Sequence, residues 1–195
     1  MTPRRRAIVE LAYYLADHGV YTDPVARAVV EGRDYTRGPG TSCVELLDCV
    51  AFAAGCRAPN INRTEHRGRR PQRDLGWFLH GSGHGGRIRT FPRLSDLQPG
   101  DFIGYDFDRG GHAAIYLGAE DGVALTADYG QAKGGGRLYS CPIVEGARLR
   151  LRGRAVWAAV DVDTLTYTAP AQTVAEWCAT HGLPDPGPTL PAEYL

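Results

Sequence analysis

Residues 42–56 read Ser-Cys-Val-Glu-Leu-Leu-Asp-Cys-Val-Ala-Phe-Ala-Ala-Gly-Cys, and the fold turns on this stretch. Ser42 and Glu45 have the spacing of a capping box, in which hydroxyl and carboxylate each take up a free backbone N–H at a helix start. Cys43 is then the first helical residue. Behind it only Glu45 and Asp48 are charged, so the helix is apolar nearly all round, the pattern of a helix enclosed in a core. Enclosure needs a second layer, and the sequence supplies one downstream. From Gly100 the hydrophobic period changes to two. DFIGYDF (101–107), HAAIYLG (112–118), VALTADY (123–129), RLYSCPI (137–143) and RLRLRGRAVWAAVDV (148–162) are candidate strands, about five in number. Asp108-Arg-Gly-Gly and Ala119-Glu-Asp-Gly are the turn sequences between the first three.

Upstream, Thr2-Pro3 is a cap and first-turn proline for a helix whose apolar residues Ile8, Leu11, Ala12 and Leu15 recur at helical spacing, with Gly19 as its stop. Asp23-Pro24 repeats the signal for a shorter helix ending near Gly32. Residues 57–74 are polar and Arg-rich, an expected exposed loop, followed by a short helix around Asp74–Leu79 and a Gly/His loop. Val174–His181 reads as a last helix stopped by Gly182, and the proline-rich end as an extended tail. Helices first and a strand meander after them give an α+β fold, with the Cys-bearing helix packed on an antiparallel sheet. We expect one domain over residues 1–168, with an N-terminal helical extension, and a helix and tail over 169–195.

Composition sets the outer bounds. At 195 residues the chain has the size of one domain, and 43% hydrophobic with 23% charged residues is a folding, not a disordered, composition. Lys+Arg and Asp+Glu balance at 22 each, so no net field draws the chain to nucleic acid or anionic lipid. No apolar run approaches the ~20 residues that span a bilayer. The basic start is followed by Glu10 and Asp17 without a small-residue cleavage site, so no signal peptide is expected. The five cysteines (43, 49, 56, 141 and 178) are odd in number and form no Cys-x-x-Cys pair, which argues against a disulfide framework or a zinc knuckle. His80 and His84 have no partner at ligand spacing, so no metal is expected.

Two residue types carry chemistry. A cysteine at the first turn of a helix meets unpaired backbone N–H groups and the positive end of the helix dipole, which favour the thiolate and can hold an oxyanion. Cys43 is so placed, and the plainer alternative is a small packed thiol. His112 begins the strand HAAIYLG just after the Gly110-Gly111 turn, where an imidazole projects from a sheet edge toward a packed helix. A thiol and a histidine from separate elements form the nucleophile–base pair of a cysteine hydrolase.

Ser42-Cys43-Val44-Glu45-Leu46-Leu47, then Leu97-Gln98-Pro99-Gly100-Asp101-Phe102, then His112-Ala113-Ala114-Ile115-Tyr116-Leu117-Gly118 resemble, in this order, the motifs of the NlpC/p60 cysteine peptidases. The resemblance spans roughly residues 35–160. It implies a papain-like fold and hydrolysis of an amide bond in peptidoglycan stem peptides, by an endopeptidase or amidase needing no metal or organic cofactor. Cys43 is the implied nucleophile and His112 the base. A third polar residue on the next strand orients the imidazole. Alternation puts Ala124, Thr126 and Asp128 on one face. Asp128, which can accept the ring N–H and balance its charge, is our choice over Thr126 and Gln131. Tyr35 resembles the family tyrosine that contacts the substrate carbonyl, and Ser42 beside the nucleophile completes the oxyanion and substrate contacts. The small residues that follow the family cysteine are replaced here by Val44 and Glu45.

The expected partner is therefore a stem peptide, with no nucleic acid and no membrane. The expected setting is synthesis in the cytoplasm and action on the wall after release or delivery, as for a phage lysin, virion-associated enzyme or secreted effector. The competing readings are a related CHAP-type enzyme, a thiol acyltransferase or deamidase acting on a protein, and a non-catalytic wall-binding or phage-tail module.

Overall fold

The computed structural model describes residues 1–17, 43–56, 85–107, 110–129 and 136–182. The expected helices at 24–32 and around 74–79, and the extended tail, lie outside the described residues. Helix α1 spans Pro3–Asp17 and α2 spans Cys43–Ala53, beginning at the residue the capping pattern indicates. Helix α3 spans Val174–His181. Thr173 caps it by accepting from the Glu176 N–H while Glu176 reaches back to the Thr173 N–H, and Gly182 ends it in the left-handed conformation at φ 66°.

The strands are β1 (Ile88–Thr90), β2 (Phe102–Phe107), β3 (Gly110–Glu120), β4 (Val123–Tyr129), β5 (Gly136–Val144), β6 (Arg150–Leu151) and β7 (Arg154–Val160). All pairings are antiparallel, in the order β1-β7-β2-β3-β4-β5-β6, and β6 pairs with β7 as well. The strands β2 to β7 thus close on themselves into a barrel, with β1 added outside along β7. This corrects the expectation of about five strands to seven among the described residues. The run 148–162 is two strands, because Arg152 and Gly153 both take positive φ (56° and 69°) and make a two-residue hairpin of the kind that fits strand twist. The added strand, β1, is only three residues long and pairs with Thr90 opposite Ala158 and Ile88 opposite Val160.

Alternation along the strands feeds two cores. Ala113, Ile115 and Leu117 of β3, Leu125 and Ala127 of β4 and Ala158 and Val160 of β7 face the helices. There they meet Ile8, Leu11, Ala12 and Leu15 of α1, Leu46, Leu47, Val50 and Ala51 of α2, and Trp177 of α3. Ala114, Tyr116, Ala124, Cys141, Leu151 and Val156 fill the second core, inside the barrel. The Leu-Gln-Pro-Gly-Asp segment fixes where β2 begins. Gly100 turns at φ 96° with so little room that a β-carbon would lie 3.1 Å from Arg5 Cγ and 3.2 Å from Val9 Cγ2. Asp101, 1% exposed, then accepts from Arg5 Nη1 at 2.7 Å. The motif therefore anchors the barrel to α1.

Candidate active site

Cys43 opens α2 and is half-buried against the core between helices and barrel. Its backbone belongs to the first turn, whose N–H groups have no carbonyl four residues earlier to receive them. His112 lies near the start of β3, directly opposite Tyr105 of β2, and the two rings stack with centroids 6.1 Å apart and planes 13° apart. Asp128 is opposite Ala114 of β3, so it is the diagonal neighbour of His112 on the same face. His112 Nε2 donates to Asp128 Oδ1, and Arg152 Nη1 donates to Asp128 Oδ2. The His112 side chain also hydrogen-bonds with Cys43. The thiol, imidazole and carboxylate expected from the sequence are thus joined in one chain of contacts.

Electrostatics favour a charged imidazole. Burial disfavours the cation, but the hydrogen bonds to Asp128 and Cys43 and the negative charge of both outweigh it, and the His112 pKa is pushed up to about 10. The ring is an imidazolium at neutral pH. Tyr105 beneath it stays a neutral phenol, because burial and the Asp128 charge push its pKa up. Cys141 sits inside the barrel below the aspartate. Burial pushes its thiol up, against the pull of the Arg152 backbone N–H and charge, which disfavours its thiolate.

Among the other expected residues, Thr126 is fully buried one rung deeper, opposite Tyr116. Ser42, Tyr35 and Gln131 lie outside the described residues, and so do the side chains of Val44 and Glu45. Two residues of the site were not singled out from sequence. Tyr105 is hidden in an alternating strand whose inward residues look alike. Arg152 is hidden in an Arg-rich run, where the only signal was the glycine after it. No group of three or more His, Cys, Asp or Glu among the described residues is arranged to hold a metal ion. A depression of about 380 Å³ at the other end of β3, lined by Leu94, Glu120, Asp121, Ile143 and Glu145, presents no nucleophile.

What the arrangement can do is acyl transfer. It places a sulfur nucleophile, a proton donor within hydrogen-bond reach, a carboxylate orienting that donor, and helix-start N–H groups beside the sulfur. Comparison with protein-family models, with curated proteins and with solved structures finds no match for the chain.

Proposed function

We propose that the chain is a cysteine hydrolase of amide bonds, with Cys43 as nucleophile, His112 as acid and base, and Asp128 as the residue that orients His112. The observation that carries this reading is the contact chain from Cys43 through His112 to Asp128, assembled from a helix start and two adjacent strands. The Cys43 thiolate attacks the substrate carbonyl, and the first-turn N–H groups of α2 hold the oxyanion. The His112 imidazolium gives its proton to the departing amine as the carbon–nitrogen bond breaks, leaving a thioester and a neutral ring. That ring then takes a proton from water, whose oxygen attacks the thioester. The acid is released and the sulfur regains its starting state.

The motif resemblance around Cys43, Asp101 and His112 supports peptidoglycan stem peptides as the substrate class. Purified sacculi treated with the protein, beside a Cys43→Ala control, test this by mass spectrometry of the soluble products. New fragments with the intact protein alone are the expected result, and their masses identify the bond. An absence of fragments across several wall chemotypes, with the protein folded, overturns the wall-hydrolase reading in favour of a binding module or a protein-directed acyltransferase.

A further inference from the structure

Asp128 is 1% exposed and ionised carboxylates in such places need partners for both oxygens. One oxygen serves His112 and the other Arg152. The backbone at Arg152 gives no reason for an arginine. It occupies the first central position of the β6–β7 hairpin at φ 56°, where Asn, Asp or Gly is preferred and a long side chain carries a steric cost. The side chain explains the choice. Its guanidinium lies 3.7 Å from the centroid of the Tyr139 ring, which fixes its plane while Nη1 meets Asp128. Among the described residues, the titratable and charged groups facing Asp128 are Tyr105 of β2, His112 of β3, Arg137 and Cys141 of β5, and Arg152, with Cys43 of α2 beyond His112. Arg137, its cross-strand neighbour, is exposed to water, so among the described residues Arg152 is the arginine that meets the carboxylate, beside the His112 ring.

We propose that Arg152 is a positioning residue of this site. By holding one oxygen of Asp128 it keeps the carboxylate turned toward His112 Nε2, so that the imidazole stays oriented toward Cys43. The inference rests on the reading of Cys43 and His112 as the reacting pair. It adds a fourth member that touches neither sulfur nor substrate.

The test compares Arg152→Asn with Arg152→Lys, following iodoacetamide alkylation of each of the five thiols by peptide mass spectrometry between pH 5.5 and 9. Asn-Gly is the turn sequence this hairpin prefers, so the first variant relieves the backbone while removing the cation. The lysine variant keeps the cation and the backbone cost. In the wild type Cys43 should react fastest near pH 6. Arg152→Asn should slow it at least tenfold there, the gap narrowing toward pH 9, where a thiol of ordinary pKa near ~8.5 ionises unaided. Arg152→Lys should recover most of the loss. If Arg152→Asn alone does not fold, Asp128→Asn is compared with the Asp128→Asn/Arg152→Asn pair, in which no carboxylate is orphaned: the two should label alike at every pH, because Arg152 acts through Asp128, and a further loss in the pair overturns that role. A folded variant with wild-type rates, or with a loss equal at every pH, overturns the role of Arg152. Wild-type Cys43 reacting no faster than Cys141 at pH 6 instead removes the hydrolase reading itself.

Discussion

Two arginine–aspartate clusters stand at either end of β2, and they are built alike up to a point. Arg5 and Asp101 precede the strand, 2% and 1% exposed; Arg152 and Asp128 sit by its far end, 28% and 1% exposed. Around Arg5 every direction is used. Nε donates to Asp163 at 3.0 Å, Nη2 to Asp161 at 2.7 Å, and Nη1 to Asp101 at 2.7 Å and to the Pro99 carbonyl at 2.8 Å. The other oxygen of Asp101 accepts the Gln98 N–H at 3.0 Å. That network is closed: it joins α1, the turn before β2 and the end of β7, and nothing in it is left to react. Around Arg152 the aspartate passes its second oxygen to an imidazole, and the imidazole reaches a thiol. The same pair of residue types acts as a rivet where its contacts are saturated and, in the function proposed here, as part of a reactive site where one contact leads outward.

The sharpest way to separate the two is to cut each at its end. Cys43→Ala should abolish turnover, a loss of at least about 10⁴-fold, with unfolding midpoint unchanged. Asp128→Asn should cost about 10²- to 10⁴-fold, because an amide cannot balance the imidazolium and its NH2 group, turned to the ring, imposes the wrong tautomer. Product formation from sacculi, with circular dichroism as the control for folding, reads both. Retained activity in Cys43→Ala would remove the distinction between the clusters altogether.

Arg5→Met should have the complementary profile. It leaves three carboxylates without their shared cation, and breaking a buried pair from one side costs about 3–5 kcal/mol. Asp163 and Asp161 are partly exposed, which places the expected loss toward the lower end of that range. Urea unfolding measures it, and the folded fraction should keep wild-type Cys43 alkylation. Arg5→Lys should recover little, since a point charge with three donors does not replace a planar fork serving four groups.

How far these clusters can be read from sequence differs in the same way. Helix α2, its start at Cys43, helix α3 with its cap and stop, and the strands from 102 to 144 follow local rules of capping and alternation, and the sequence indicates them. Cys43 and His112 are legible because motif and element start coincide. Barrel closure is not legible, because β2 and β7 are far apart in sequence and their pairing is set by packing rather than by local pattern. Arg5 is one of three consecutive arginines, and only the burial of one face of α1 selects the middle one. The β6–β7 turn is masked because Arg152 is not a residue that ordinarily occupies a left-handed position.

A smaller effect distinguishes the clusters by pH. The His112 pKa is raised to about 10 in the folded protein, against an unfolded value near ~6.5. The stability that this proton uptake contributes is fully present below about pH 6.5 and is lost as pH rises through about 10. Urea midpoints of the wild type and His112→Gln should therefore converge between pH 6 and 9.5. The deficit of Arg5→Met should stay level over the same range, since the cation it removes is a guanidinium, which keeps its charge throughout. A parallel course for both variants would show that His112 is not charged by its neighbours.

The smallest expected effect lies at the rim of the rivet. Arg89, 38% exposed, approaches the second oxygen of Asp161 at 3.5 Å and donates to the Asp96 carbonyl. Exposed pairs of this kind contribute at most about 1 kcal/mol and weaken with salt, because water and counter-ions already stabilise both charges. Arg89→Gln should then shift the urea midpoint slightly in dilute buffer and negligibly in 1 M sodium chloride. Arg5→Met should keep most of its deficit in both, as burial shields the Arg5–Asp101 pair from screening while the pairs to the partly exposed Asp161 and Asp163 weaken. Salt sensitivity of the same size at both positions would mean that the Arg5 cluster is open to solvent, and its closure, which sets it apart from the Arg152 cluster, would have to be abandoned.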